Sequence, residues 1–411
     1  MEFFRCISLE EGRRQIAAAL ADIRTAVELV ALAQACGRVL AEDVFSRENL
    51  PAFARSTVDG FAVNSADTFG AGEGLPALLE LDGEILMGST AEGRVGNGAG
   101  MTIPTGGMLP EGADSVVMLE HTQRPDATTL LVLKPVAPGE NIVRAGDDIS
   151  AGGLILSKGS RITPQDIGAL AACGIAELKV YCPPVVGVLS TGDEVIEPQL
   201  TPKDGQVRDA NGPALAALIE AAGCRVIRYG IIRDEKAALR ECLAEAAAAC
   251  HAIVLSGGSS VGVRDHTVEV LEEMGQRPVV FHGLAVKPGK PAIFAMLGKT
   301  AVFGLPGHPV AALTVCRQLV LPALDSLSGK CRKDQIKVRA KMTRNMASAA
   351  GRDDFIKVRL RYEAGEYLAE PVLGKSGLIF TMTQADGEVH IPADKTGLYE
   401  AEWVTVELLR R

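Results

Sequence analysis

The stretch PVVGVLSTGDE, residues 184–194, decides the fold when read with HAIVLSGGSSVG at 251–262 and TAVFGLPGHP at 300–309. Each is a short apolar run that ends in a glycine-bearing loop. The runs are continuously apolar rather than alternating, which predicts strands buried on both faces, as in a parallel sheet. Helical patterns lie between them. Residues 213–222 are closed by Gly223, 235–250 are alanine-rich, and 266–274 have Asp265 as cap and Gly275 as stop. Further strands are expected at 225–232, 279–281 and 293–296, and a last helix at 310–327. Regular strand–helix alternation predicts a doubly wound, mostly parallel sheet over 184–329.

Outward from that unit the texture changes. Ser8 followed by Glu11 reads as a capping box for an N-terminal helix carrying Ile16, Leu20 and Ile23. Between about 44 and 150, Gly and Pro are frequent and apolar runs are short (61–63, 115–119, 130–133). That predicts a β-rich module. Thr163 then caps a helix with Pro164 in its first turn and Gly174 at its end. After Lys330, charged and apolar residues alternate at 336–339 and 403–406, which predicts a small antiparallel β domain.

The 411 residues are too many for one core and suggest about three compact units. With 51 acidic against 42 basic side chains, the net charge of −9 leaves no surplus to neutralise phosphates, so a nucleic-acid partner is not expected. One Trp and five Tyr are too few for stacking platforms. The nine cysteines form no CxxC pair, which fits reduced, mostly buried thiols. The first fourteen residues lack an apolar signal core, and the longest uncharged run, 246–263, contains a Gly/Ser loop. No membrane span is expected, and the location is expected to be cytoplasmic.

In an open parallel sheet, ligands bind beyond the carboxyl ends of the strands. Three glycine loops fall there, with the carboxylates of Asp193, Glu194 and Asp265 beside them. Gly257, Gly258 and Ser259 precede a helix, where backbone N–H groups can approach an oxyanion. Carboxylates beside such a loop call for a cation, and hard oxygen donors favour Mg²⁺. Lys287 and Lys290 in KPGKP add positive charge on a stiff backbone. As an exposed lysine, Lys287 is expected to contribute little to folding. Plainer readings exist for each: a tight turn, surface charge, a helix cap, an exposed proline turn. Residues 258–262 fit GxSxG, but no helix follows the serine directly, so a hydrolase elbow is not expected. Neither a phosphate-binding P-loop nor a dinucleotide fingerprint occurs.

In order along the chain stand STVDG (56–60), PTGG (104–107), GDDIS (146–150), STGDE (190–194), GIIRD (230–234), SGG (256–258), KPGKP (287–291) and GLPG (304–307). This set resembles the molybdopterin molybdenumtransferases, the MoeA/gephyrin E-domain family. The resemblance implies a homodimer of four-domain subunits with sites shared between subunits. Its division would be 1–26 with 180–329 as a doubly wound domain like molybdopterin adenylyltransferase, 27–45 with 147–179 as a connecting segment, 46–146 as the β-rich domain, and 330–411 as the C-terminal β domain. It implies adenylylated molybdopterin and molybdate as substrates, AMP as product, and a divalent metal. Carried over, Asp59, Thr105, Asp148, Glu194, Asp234 and Asp265 are the catalytic set, with Glu194 and Asp265 holding Mg²⁺. Gly257, Gly258, Ser259, Lys287, Lys290, Pro306 and Pro309 would bind substrate. Dithiolene sulfurs of the substrate would accept molybdenum, so no protein nucleophile is needed. Many relatives have Asn where this chain has His308, and some have a basic residue where Gly283 stands; both changes are expected near the anion site. Two alternatives are the preceding adenylylation step and a non-enzymatic scaffold like gephyrin. The β-rich insertion and the C-terminal domain oppose the first, the crevice carboxylates the second. The adenylyltransferase is also a candidate partner.

Overall fold

The computed structural model describes residues 6–257, 266–275, 278–331 and 336–409. Its centre is a six-stranded sheet in the order Arg225–Ile232, Val185–Thr191, Ala252–Ser256, Thr300–Leu305, Ile293–Leu297, Val279–His282. The first four strands run parallel, and only Ile293–Leu297 opposes its neighbours. The chain leaves Val185–Thr191 toward one edge and returns on its other side at Ala252–Ser256. The topological switch point therefore lies between these two strands, where a crevice is expected.

Alternate strand residues feed two separate cores. Val186, Val188, Ala252, Val254, Phe294 and Phe303 face one side, with Leu9, Ile16 and Leu20 of the helix Leu9–Ala19 and Leu215 and Ile219 of the helix Asn211–Ala221. Leu189, Ile253, Leu255, Ile293 and Val302 face the other, with Leu239 and Leu243 of Lys236–Ala249 and Val270 and Leu271 of His266–Met274. Burial on both faces is why these strands read as continuous apolar runs.

The expected last helix is continuous over Pro309–Leu327, but its middle turn, Cys316–Val320, is a π-helix. Pro322 explains the break, because it has no N–H to give the carbonyl of Gln318 and its ring crowds that turn. Arg13 Nε supplies the missing donor to Gln318 O at 3.1 Å. Among the described residues this is the one helix long and apolar enough to cross a membrane. Here its apolar face fills the sheet core instead, through Ala312, Val315, Leu319 and Leu324.

The N-terminal helix keeps half of its expected capping box. Ser8 accepts from the Glu11 N–H, while the Glu11 carboxylate is taken by Arg14 and Gln15. Thr163 and Asp166 form the complete box at the helix Pro164–Ala172, which packs with the small sheet of Val27–Ala31, Glu177–Tyr181 and Val39–Leu40. The β-rich module is a six-stranded sheet with Gly60–Val63 and Ala99–Ile103 among its inner strands. Gly60 is obligatory there, since a Cβ would stand 2.0 Å from the Val117 carbonyl oxygen. In the C-terminal domain, Asp353–Glu363 pairs with both Glu366–Pro371 and Gly387–Ile391. The ring of pairings therefore closes into a small barrel. It is antiparallel except where Lys337–Met342 meets Glu366–Pro371. Val286–Lys287 adds in parallel to this barrel at Asp353 and Asp354, fastening it to the edge of the central sheet.

Candidate functional site

A crevice of about 1240 Å³ opens at the switch point, between the strand ends of the central sheet and the C-terminal barrel. Thr191, Glu194, Asp234, Gly257, Pro306 and Pro309 line it from the sheet, with Lys287 and Lys290 from the proline-rich loop. Gly192, Gly257 and Gly307, one from each strand end, thus converge as the parallel strands require. Gly257 shows why the residue type is fixed. Its φ is +96°, and a Cβ would sit 2.4 Å from the Thr191 carbonyl oxygen, so only glycine lets the two strand ends approach. Gly258, Ser259 and Asp265 lie outside the described residues.

Two of the carboxylates behave differently. Glu194 lines the crevice. Asp193 does not line it; instead it accepts the Asp234 N–H at 3.3 Å, tying two strand-end loops together. Among the described residues no group of three or more metal-ligating side chains forms.

Lys287 is exposed, as expected, but it is ion-paired. Its Nζ is 2.9 Å from Asp354 Oδ2, a carboxylate only 4% exposed that also accepts from Ser348 Oγ at 3.0 Å. Removing Lys287 would leave that buried carboxylate with Ser348 alone, so a loss of stability is predicted. The expectation for Gly283 is corrected. It is hydrogen-bonded to Ile7 and Ala292 in the strand connection and does not line the crevice. His308 does line it, and its Nδ1 meets Ser376 Oγ of the C-terminal domain at 2.8 Å.

Asp59, Thr105 and Asp148 do not line this crevice. The first two are brought together in the β-rich module, where the Thr105 N–H donates to Asp59 Oδ1 at 2.7 Å. Asp148 sits in a turn, its N–H bonded to Leu50 O at 3.0 Å.

Several crevice residues escaped the sequence reading. The carboxylate of Asp209, 6% exposed, accepts from Ser190 Oγ and from the N–H groups of Asn211 and Gly212, so the helix starts at Asn211 rather than at Pro213. An Asp just before a helical pattern was the available signal. Arg352 and Ser376 come from the distant C-terminal domain, and nothing in their local sequence marks them. The Nε of Arg352 is buried without a partner.

The thiols stand apart from this chemistry. Burial pushes Cys316 and Cys224 up to about 12, and Cys242 up to about 11, so they remain protonated at neutral pH.

Three family models match the chain in succession: the MoeA N-terminal region (domain I and II) over residues 7–174, a probable molybdopterin binding domain over 187–326, and the MoeA C-terminal region (domain IV) over 339–409. The chain is 35% identical to the molybdopterin molybdenumtransferase of Haemophilus influenzae, with 85% of each chain covered. It is 34% identical to a putative molybdopterin biosynthesis protein of Methanocaldococcus jannaschii, covering 93% of this chain and 92% of that one. A molybdopterin biosynthesis MoeA crystal structure from Pyrococcus horikoshii OT3 superposes with a TM-score of 0.81 at 32% identity, over 98% of this chain and all of that one.

Proposed function

Because the chain belongs to the molybdopterin molybdenumtransferase family, and so is a transferase of molybdenum cofactor biosynthesis, we propose that it inserts molybdate into adenylylated molybdopterin and releases AMP. The observation that carries this reading is the division of charge in one crevice. Lys287, Lys290 and Arg352 line it together with Glu194 and Asp234. An anionic, phosphate-bearing substrate needs the cations, and the carboxylates are then tolerable only with a metal ion between them and the phosphates.

The residues present fit Mg²⁺. It binds through one or two carboxylates plus phosphate and water rather than in an all-protein cage. Glu194 and Asp234 offer that number, and Asp265 is a further candidate. When bound, the ion would offset charge developing at the phosphoanhydride. The chain's own groups act around it. Gly257 gives its own N–H to the Leu305 carbonyl at 3.2 Å, so the phosphate contact proposed for this loop falls to the N–H groups of Gly258 and Ser259. Lys287, held by Asp354, presents its remaining N–H donors at a fixed place. Lys290 and Arg352 bind oxyanion, and Pro306 and Pro309 shape the wall between them.

Asp59, Thr105 and Asp148 remain part of the proposed catalytic set. Since they do not line the crevice of their own subunit, they would complete the crevice of a second copy in a homodimer. The reaction belongs in the cytoplasm, with the adenylyltransferase as the supplier of substrate. Purified protein given adenylylated molybdopterin should release AMP when molybdate is added. Absence of molybdate-dependent AMP release would refute the reading.

A further inference from the structure

We infer that Asn211 reads a hydrogen-bond donor on the bound heterocycle, the amino-bearing edge of the pterin ring; the pterin part of this inference rests on the function proposed above. Asn211 opens the helix Asn211–Ala221 and lines the crevice. Its Nδ2 donates to Ser256 Oγ at 2.7 Å and to the Gly307 carbonyl at 2.8 Å. A carbonyl can only accept, so the amide cannot turn round, and Oδ1 is fixed as an acceptor. That Oδ1 is buried and has no partner. Thr191, 5% exposed and also lining the crevice, has an orphaned Oγ1 as well.

Two buried, unpaired polar atoms on residues lining one crevice are costly and call for a partner that arrives with the ligand. The chemistry of that partner is restricted. A phosphate or oxyanion brings only acceptors and would face an acceptor. The nearest carboxylate, Asp209, is already engaged by Ser190, Asn211 and Gly212. The groups left to meet a ligand there are therefore uncharged ones. The subsite holds an acceptor in Asn211 Oδ1 and hydroxyls at Ser256 and Thr191 able to donate. It complements a ring edge with an exocyclic NH₂ group beside an acceptor ring nitrogen. Pterin has that edge, and the cationic groups of the crevice are left for the phosphates and the oxyanion.

The test compares pterin with lumazine, in which the 2-amino donor is replaced by an oxo acceptor. Binding of each to the full-length protein is followed by fluorescence in wild type, Asn211→Leu and Asn211→Ala, with melting recorded for all three. Wild type should prefer pterin by about tenfold, the effect of leaving one buried acceptor unpaired. Both variants should bring the ratio to within about twofold of unity while still melting cooperatively. A wild type that binds both equally, or a preference that survives in both variants, would overturn the assignment and leave the crevice reading standing. If substitution instead erases a preference for AMP over IMP, the subsite belongs to the adenine and the pterin assignment fails. Binding of neither pteridine, together with no AMP release, would remove both readings.

Discussion

At the residue scale, the pairing of Lys287 with Asp354 changes what a substitution there does. A lysine with its side chain 48% exposed would ordinarily be dispensable, but its partner carboxylate is buried. Lys287→Met leaves Asp354 with Ser348 alone, a loss of about 1–3 kcal/mol. Melting should fall by several degrees, and Asp354→Asn in the same chain should recover most of it. Additive losses in the double variant would mean that the two side chains act independently. Glu194 is the contrasting case. It sits in a loop of the crevice, so Glu194→Gln should melt as wild type does while AMP release falls by orders of magnitude. Retained turnover would remove Glu194 from the metal site.

At the element scale, the core helix depends on a donor from another helix. Arg13→Ala should leave the Gln318 carbonyl without the N–H that Pro322 cannot supply, costing about 1–3 kcal/mol. Pro322→Ala returns that N–H, so the loss from Arg13→Ala should shrink in the Pro322→Ala background. An equal loss in both backgrounds, read from denaturant unfolding, would contradict this account of the π turn. The same element shows where sequence reading stops. Its extent was legible from the apolar pattern, and the flanking strands from their continuous Val, Ile and Leu. The π turn was not, because it comes from a proline's effect on a carbonyl four residues earlier. The strand-end glycines and Glu194 were legible for a similar reason, since local turn chemistry fixes them. Arg352, Ser376 and Asp354 were not, because the barrel brings them to the crevice through pairings more than sixty residues apart in sequence, such as Lys287 with Asp354. Asp209 lay between these cases, a helix cap whose carboxylate also faces Ser190.

Over the whole molecule, burial of ionisable groups sets an alkaline limit on stability. Cys316, Cys224 and Tyr229 are raised to about 12 in the fold, chiefly by burial, from ordinary values of 9.0 and 10.0. A raised acid leaves stability intact below its unfolded value and loses it as pH climbs toward the folded one. Melting should therefore be flat near neutrality and decline above about pH 9, and Cys224→Ala should lessen that decline. A decline unaffected by Cys224→Ala would assign it to other groups, the lysine ion pairs among them.

The central claim is that the crevice is the site and that Asp59 of one subunit serves the crevice of another. Asp59→Asn and Glu194→Gln, each inactive alone, can be co-expressed with different tags so that mixed dimers are counted. In a mixed dimer one crevice carries both lesions and the other carries neither. Random mixing makes half the dimers mixed, so AMP release should return to about a quarter of the wild-type rate. If mixed dimers form and AMP release does not return, each site is built within one subunit and the account is contradicted.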